Sequence, residues 1–379
     1  MASPHVLTVF GTRPEAVKMA PVLQALADVD VISTVCCTGQ HDTLVQQAMH
    51  SFGITPDIDL QVMRAGQSLA QLTARLYQEF DTVLTDTKPD LVLVHGDTTS
   101  AMVAATCAFY HQIRIGHVEA GLRTGDLQQP FPEEMNRVVV GRVADLHFAP
   151  TEHAAENLRR EGAEMETVHV TGNTVVDAVN WIGPHIESGA SAEVRELVHS
   201  LPLTSKLLLV TTHRRESFGE GIANTCRALR RIAEAYDDVH VVLVTHLNPR
   251  TRGPVRELLG GHPGITLIDP VDYFSLLFLM FHSHFILTDS GGIQEEAPAF
   301  GKPVLVLREV TERPEAVQAG CARIVGTDEN VIVKEASRLI EDPVEYSSMV
   351  VDQNPFGDGH AGPRIAQIIQ GHFAQTSTA

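Results

Sequence analysis

Short apolar runs alternate with longer segments of helical periodicity along most of the chain. The runs are rich in valine, isoleucine and leucine and lack a regular polar alternation, as in Leu91-Val-Leu-Val-His95. Strands buried on both faces have this composition, and strands that alternate with helices form parallel sheets of βαβ units. The pattern predicts strands at residues 6–10, 31–37, 91–95, 113–118, 206–212, 239–244, 265–268, 285–287 and 304–307. It also predicts helices over about 14–27, 100–110 and 222–236, and a last helix from about residue 363.

This alternation begins again near the middle of the chain. The strand at residues 206–212 opens the second series, and the segment Val170-Thr-Gly-Asn173 lies before it. Two series predict two α/β domains, divided near that segment. Ligands of doubly wound sheets bind beyond the carboxyl ends of the strands, so the loops at those ends are the candidate sites.

Composition and charge narrow the possible partners. A chain of 379 residues can bury two cores of ordinary domain size, and 44% hydrophobic residues with 20% charged residues are typical of a globular protein. The net charge of −19 argues against a nucleic-acid partner or an anionic membrane. We therefore expect any phosphate to be held by local groups at short range.

The cysteines and the apolar runs exclude several other classes. The five cysteines are scattered and lack Cys-x-x-Cys spacing, which predicts neither a disulfide framework nor a metal site. No apolar run reaches membrane-spanning length, and the first residues lack the pattern of a signal peptide. We expect a cytoplasmic protein.

A glycine turn after the predicted strand at 285–287 has the features of an anion site. Ser290, Gly291 and Gly292 form the turn, and a helix is predicted to begin directly after it. Backbone N–H groups at such a helix start point at the ligand, and glycine lets a phosphate approach closely. Glu295 and Glu296 would repel a phosphate that they faced, so one of them is better suited to ribose hydroxyls. The alternative is a plain helix whose acidic residues complement its dipole.

Cations lie in other loops at strand ends. Arg13 lies just before the first predicted helix, and Lys18 lies one turn into it. His213 follows the strand at 206–212, and Arg313 follows a late strand. Each could offset the acidic background near a phosphate, although Lys18 taken alone is predicted to be a solvated surface lysine. The segment at the first helix lacks the glycine spacing of a dinucleotide fingerprint, and Gly301-Lys302-Pro303 is not a P-loop because proline replaces serine or threonine. Neither a dinucleotide-binding nor a P-loop protein is therefore predicted.

Three acidic sites follow strands or open a helix on separate segments. Asp97 and Glu119 come directly after predicted strands, and Glu133 and Glu134 stand at a proline-set helix start. Carboxylates that converge can act as general acid and base. For Glu133 and Glu134, charge at a helix N-terminus explains one of the two.

Taken together, these segments closely resemble the non-hydrolysing UDP-N-acetylglucosamine 2-epimerases of bacteria, over nearly the whole chain. The motifs that carry the resemblance are Phe10-Gly-Thr-Arg-Pro-Glu-Ala16, His95-Gly-Asp-Thr-Thr99, Gly116-His-Val-Glu-Ala-Gly-Leu-Arg-Thr-Gly125, Val170-Thr-Gly-Asn-Thr-Val175, His213-Arg-Arg-Glu-Ser217, Thr288-Asp-Ser-Gly-Gly-Ile-Gln-Glu-Glu296 and Thr311-Glu-Arg-Pro-Glu-Ala316. The resemblance implies an α/β fold of GT-B architecture: two Rossmann-like doubly wound domains with the active site in the cleft between them. It places the first domain at 1–170, joined by a C-terminal helix at about 362–379 that packs back on it, and the UDP-binding domain at 171–361.

The resemblance also implies roles for individual residues. The diphosphate would be held by Arg13, His213, Ser290, Gly291, Gly292 and Arg313, with Glu296 on the ribose, Lys18 in the nucleotide-binding set and Leu276 near the uracil end. Asp97, Glu119 and Glu133 match the candidate catalytic acids of the family, and Asp97, Glu119 and His213 also belong to its substrate-binding set. The family often has aromatic or amide residues where Val271 and Leu276 stand here.

The implied reaction interconverts UDP-N-acetylglucosamine (UDP-GlcNAc) and UDP-N-acetylmannosamine (UDP-ManNAc) without a cofactor. UDP would leave C1 as C2 loses its proton, and it would then add back to a 2-acetamidoglucal intermediate. The family feeds surface polysaccharide synthesis and commonly forms homodimers.

Two further expectations follow from the family pattern. Gln40 and His41 correspond to a second, regulatory substrate site of some members, but Asp42 stands where many bacterial members carry arginine. Other activities stay open at this stage: a 2-epimerase of a UDP-2,3-diacetamido sugar acid, a hydrolysing relative, a GT-B glycosyltransferase, and a non-catalytic protein that binds nucleotide sugars.

Overall fold

A computed structural model describes residues 3–39, 43–64, 66–201, 205–212, 219–245 and 249–376. The chain divides into two compact units. One contains residues Met1–Ala178 and Phe356–Ala379, and the other contains Val179–Pro355. Each unit is built on one parallel sheet.

The first unit has a seven-stranded sheet with the order β3-β2-β1-β4-β5-β6-β7. Its strands are β1 (His5–Phe10), β2 (Ile32–Cys37), β3 (Ile58–Asp59), β4 (Leu91–His95), β5 (Arg114–Val118), β6 (Leu146–Ala149) and β7 (Val168–Val170). Every residue of β4 is buried, which is why its first four residues, Leu91-Val-Leu-Val94, are apolar. The predicted strands of this half are confirmed, whereas β3, β6 and β7 were not predicted because runs of two to four residues carry no period.

Helices cover both faces of this sheet. They are α1 (Arg13–Ala27), α2 (Thr43–Ser51), α3 (Leu69–Thr87), α4 (Thr99–Tyr110), α5 (Glu133–Val143) and α6 (Glu152–Arg160). The division between the two units falls within the next helix, α7 (Thr174–Ile182). Side-chain caps begin several of them; for example, the Thr98 hydroxyl accepts a hydrogen bond from the Ala101 N–H at 3.1 Å at the start of α4. These caps set where each helix begins relative to the strand before it.

The second unit repeats the plan with six parallel strands in the order β10-β9-β8-β11-β12-β13. They are β8 (Lys206–Thr211), β9 (Val239–Val244), β10 (Ile265–Ile268), β11 (Phe285–Thr288), β12 (Val304–Val306) and β13 (Ala322–Ile324). The surrounding helices are α8 (Ile186–Gly189), α9 (Ala192–Ser200), α10 (Glu220–Ala235), α11 (Pro249–Leu259), α12 (Tyr273–His282), α13 (Gly291–Glu296), α14 (Pro314–Gln318), α15 (Glu329–Glu341) and α16 (Pro343–Ser348).

The last helix, α17 (Ala361–Thr376), belongs to the first unit, where it packs on α1. Its backbone approaches α1 so closely that a Cβ at Gly362 would lie 2.7 Å from the carbonyl oxygen of Pro21. The buried carboxylate of Asp177 caps its start by accepting a hydrogen bond from the Gly362 N–H at 2.8 Å. The chain end is therefore part of the first core.

The structure also describes the cysteines, the apolar helices and the possible metal ligands. The cysteines are all free and buried. Within the described ranges, no helix is long and apolar enough to cross a membrane. The same ranges contain no group of three or more histidine, cysteine, aspartate or glutamate side chains suited to a metal ion.

Candidate active site

Glu119 and Lys18 form a buried ion pair in the first unit. The side chains are 9% and 8% exposed, and the Lys18 ammonium donates to Oε2 of Glu119. The prediction that Lys18 is a surface lysine, made from that residue alone, was wrong. Lys18 lies on the face of α1 that packs into the fold, and a charged side chain is buried there because an opposite charge meets it.

The backbone at Glu119 adopts a left-handed conformation, with φ of 62°. Residues other than glycine seldom adopt it, because it costs about 1–3 kcal/mol and persists only where the surrounding structure offsets that cost. The carboxylate is held from further directions by Asn173, whose Nδ2 donates to Oε2 at 3.3 Å, and by His95, whose Nε2 lies 3.7 Å away. The sequence motif around Glu119 therefore positions one carboxylate among three polar partners.

Asp97 lies beyond the end of β4 and is held by α5. Nη2 of Arg137 donates to its carboxylate at 2.5 Å, and Nδ2 of Asn136 donates to its backbone carbonyl at 2.9 Å. The side chain of Asp97 is 28% exposed, while that of Arg137 is 5% exposed. Asp97 thus has a partly exposed carboxylate that is ion-paired with the buried guanidinium of Arg137.

Glu133 and Glu134 have different surroundings, although they are adjacent at the start of α5. Glu134 is buried and accepts hydrogen bonds from the N–H groups of Thr124 and Gly125, both at 3.0 Å. Glu133 is half-buried. One acid of the pair is therefore structural, as expected, and Glu133 is the one available for chemistry.

Glu15 was missed by the sequence analysis, yet it organises the loop that carries Arg13. Oε2 of this buried side chain accepts from the N–H groups of Gly11 and Thr12, at 3.0 and 2.8 Å. Oε1 accepts from the Thr98 hydroxyl at 2.8 Å, which joins α1 to the start of α4. Burial raises the pKa of Glu15, and these hydrogen bonds oppose the shift. The Thr12-x-x-Glu15 capping-box spacing was the available signal.

The glycine turn of the second unit follows β11 as predicted, and α13 begins at Gly291 rather than two residues later. The Ser290 N–H donates to the Thr288 hydroxyl at 3.0 Å, and Thr288 is fully buried. A Cβ on Gly291 would lie 3.1 Å from Cζ of Arg313. A side chain at this position would therefore push the Arg313 guanidinium aside by a few tenths of an ångström, because the guanidinium lies against the backbone.

The two acids behind this turn are both engaged. Oε1 of Glu295 accepts from Nε of Arg313 at 2.8 Å, and Oε1 of Glu296 accepts from the Tyr273 hydroxyl at 3.1 Å. The expected repulsion of a phosphate by Glu295 is thus offset by the cation beside it. Leu276 is half-buried on α12.

Three predicted site residues cannot be placed. His213 of the diphosphate set and Gln40 and His41 of the regulatory site lie outside the described residues.

A comparison with known proteins decides the family. The model of the family described as UDP-N-acetylglucosamine 2-epimerase matches residues 24–370. The chain belongs to this family. The predicted resemblance is therefore confirmed, as is the enzyme class, an isomerase that acts as a UDP-N-acetylglucosamine 2-epimerase.

Individual relatives of the epimerase family match almost from end to end. The UDP-N-acetylglucosamine 2-epimerase of Salmonella typhimurium is 50% identical over 370 residues, which cover 97% of this chain and 98% of that protein. The crystal structure of the Neisseria meningitidis enzyme bound to UDP-GlcNAc has a TM-score of 0.91 and 44% identity, covering 97% of this chain and 100% of that one. The Methanocaldococcus jannaschii enzyme in complex with UDP-GlcNAc and UDP has a TM-score of 0.83 and 32% identity, covering 97% and 99%. The predicted GT-B class, with two parallel-sheet α/β domains, is confirmed by these structures and by the two sheets.

Within this epimerase-family chain, the partners of the predicted acids were not identified from sequence. Asn173 lies inside one of the quoted motifs, but nothing in the sequence shows that it contacts Glu119 or that Arg137 contacts Asp97. His117, on β5, is structural. Burial lowers its pKa to about 3, and its Nε2 is 2.8 Å from the carbonyl oxygen of Gly96.

Proposed function

We propose that the protein interconverts UDP-GlcNAc and UDP-ManNAc by eliminating UDP and adding it back. The observation that carries this proposal is the position of Glu119, a buried carboxylate on a left-handed backbone, ion-paired with Lys18 at the end of a strand. Such preorganisation suits a group that exchanges a proton with a substrate. Family membership supplies the substrate class.

The proposed steps balance without an oxidant or a reductant. A carboxylate takes the proton from C2, the C–H electron pair forms the C1–C2 double bond, and the C1–O bond breaks to release UDP as an anion. The intermediate is 2-acetamidoglucal. In the return step, UDP oxygen bonds to C1 while an acid protonates C2 on the opposite face, which inverts that centre.

Proton transfer is assigned to the first unit, through Asp97, Glu119 and Glu133. Two of these carboxylates are ion-paired: Glu119 with Lys18, and Asp97 with Arg137 at 2.5 Å. A general base must be ionised to accept the C2 proton, and an adjacent cation stabilises the ionised form. Removal of such a group typically lowers the rate about 10²–10⁴-fold.

Diphosphate binding is assigned to Arg13 and to the glycine turn of the second unit. Gly291 and Gly292 begin a helix there, and Arg313 lies against the turn. Backbone N–H groups and a guanidinium stabilise the negative charge that develops as UDP leaves. Glu296 is assigned to the ribose, and Leu276 to the uracil end. His213 and Lys18 complete the proposed nucleotide set.

We further propose that the protein is a cytoplasmic homodimer that supplies surface polysaccharide synthesis. The end of α4 exposes Phe109 and Tyr110 by 57% and 72%, and exposed aromatic side chains of this kind are enriched at interfaces. Sedimentation equilibrium checks the dimer directly, and a single species of 41.3 kDa would contradict it.

The reaction is tested by incubating the protein with UDP-GlcNAc in D2O without added cofactor. Proton NMR should show UDP-ManNAc with deuterium at C2, because the proton returned to C2 comes from a group that exchanges with solvent. Product with protium at C2 would refute the elimination. Free UDP with free ManNAc would instead identify a hydrolysing enzyme.

A further inference from the structure

Four charged side chains of alternating sign lie in a row beside the glycine turn. The row runs from Glu295 through Arg313 and Glu312 to Arg308. Their side chains are 1%, 12%, 5% and 7% exposed, respectively. Buried charges are expensive unless they are paired, so a row of four indicates that each member has a partner it requires.

Two carboxylates of the row contact the Arg313 guanidinium, each on a different edge. Its Nε donates to Oε1 of Glu295 at 2.8 Å, and its Nη1 lies 3.8 Å from Oε2 of Glu312. Arg308 holds Glu312 in turn through two hydrogen bonds, at 2.7 and 3.0 Å. Glu312 therefore connects Arg308 to Arg313.

The loop that carries the row is tied to α13 by further contacts. The Thr311 hydroxyl donates to Oε1 of Gln294 at 2.6 Å and accepts from the Arg313 N–H at 3.1 Å. Nε2 of Gln294 donates to the Ser290 carbonyl at 3.1 Å. The guanidinium thus has a fixed place over Gly291, where a Cβ would meet its Cζ at 3.1 Å.

The four charges sum to zero, so the row attracts an anion weakly at long range. The row would instead contribute to phosphate binding by holding the Arg313 guanidinium in one orientation. Burial alone would raise the pKa of Glu312, but hydrogen bonds from Arg308 and the charges of Arg313 and Arg308 lower it to about 2. Glu312 therefore remains an anion, and the guanidinium remains pinned, throughout the physiological pH range. This arrangement has already removed the rotamer entropy that a free arginine side chain would lose on binding.

We infer that Arg308, Glu312 and Glu295 are positioning residues that orient Arg313 for the diphosphate of the nucleotide sugar. This inference rests on the proposed function, in which Arg313 binds that diphosphate. It adds that the planar guanidinium is required, because its edges engage two carboxylates and an ammonium group has no such edges.

The test uses the double variant Arg308→Met/Glu312→Met in the full-length protein. A single variant would leave one buried charge unpaired, whereas removal of both charges is often neutral for stability. UDP affinity is measured by calorimetric titration, kcat and KM with UDP-GlcNAc by a coupled assay, and folding by the thermal midpoint. The control is Arg230→Met/Glu234→Met, an ion pair of the same sequence spacing on α10 with a distance of 3.0 Å.

We expect the double variant to melt near the wild type and to bind UDP about tenfold more weakly, the size of one charged hydrogen bond. In an Arg313→Ala background, the same double substitution should change the UDP Kd less than about twofold, since coupled residues are non-additive. Arg313→Lys should lose as much affinity as Arg313→Ala. The control should bind UDP like the wild type.

Several outcomes would overturn the inference. If the double variant binds UDP normally while Arg313→Ala does not, Arg308 and Glu312 do not position the clamp. An equal loss with and without Arg313 would place the effect in the fold. Normal affinity in Arg313→Lys would show that charge alone suffices, and this variant is informative even if the double variant does not fold. Normal UDP binding in Arg313→Ala would overturn the proposed diphosphate site itself.

Discussion

The substitution Gly121→Ala provides a quantitative test of how the Glu119 segment is packed. Gly121 has a φ of 90°, and a Cβ there would lie 2.1 Å from the carbonyl oxygen of Ala154 and 3.0 Å from Cδ1 of Leu158. Both neighbours belong to α6 and are buried. Backbone cannot move aside as a flexible side chain can, so α6 or the Glu119 segment must shift.

Two contributions set the size of the effect. An L-residue at this φ costs about 1–2 kcal/mol, and overpacking against a closed core costs about 1–3 kcal/mol or more. We therefore expect Gly121→Ala to destabilise the first unit by about 2–5 kcal/mol. Gly125→Ala is the matched control: its φ is 81°, but no atom lies within 4 Å of the added Cβ. It should cost only the conformational part.

Hydrogen exchange followed by mass spectrometry separates the two units. Amides of β5 and α6 in Gly121→Ala should exchange about 30-fold faster or more, since each 1.4 kcal/mol is a factor of ten. Amides of β9 and α10, in the second unit, should be unchanged. The turnover number should also fall, because Glu119 lies two residues away.

Equal exchange rates in Gly121→Ala and Gly125→Ala would refute this reasoning. The contact with α6 would then carry no energy, and only the backbone conformation would matter. Uniform acceleration in both units would likewise contradict the assignment of the effect to the first core.

Three other expectations follow from the structure and the family. Burial lowers the pKa of His117 to about 3 and that of His147 to about 4, so the unfolded chain binds protons that the folded chain excludes as pH falls below about 6.5. The free energy of unfolding should thus be lower at pH 5 than at pH 7.5, by about 2 kcal/mol for each histidine. The urea midpoint should fall with it, and equal midpoints at the two pH values would contradict this. Asp97→Asn and Glu119→Gln should each lower kcat about 10²-fold or more with little change in the UDP Kd; near-normal turnover in both would remove them from the mechanism. Because Asp42 adds negative charge at the predicted regulatory site, UDP-ManNAc alone should react without a lag, and a requirement for trace UDP-GlcNAc would show that the site is intact.

The sequence by itself determined the class and order of most elements. Strands such as β4 and β9 are largely buried and are therefore mostly apolar, and such apolar runs are visible without any tertiary information. The glycine turn at Gly291 and Gly292 was equally visible, and the Arg313 guanidinium packs closely against Gly291 there. Strands at sheet edges, such as β3 and β13, are too short to show a period.

Tertiary structure alone decided which charges are paired. Lys18 was expected at the surface, and only the packing of α1 brings it to Glu119, far along the chain. The same holds for Arg137 with Asp97 and for Arg313 with Glu295. A residue type shows what a side chain can bind, whereas burial and partners depend on which face of each element packs inward. The sequence therefore predicted which types of side chain the proposed site contains, and the fold determined which of its charges are paired.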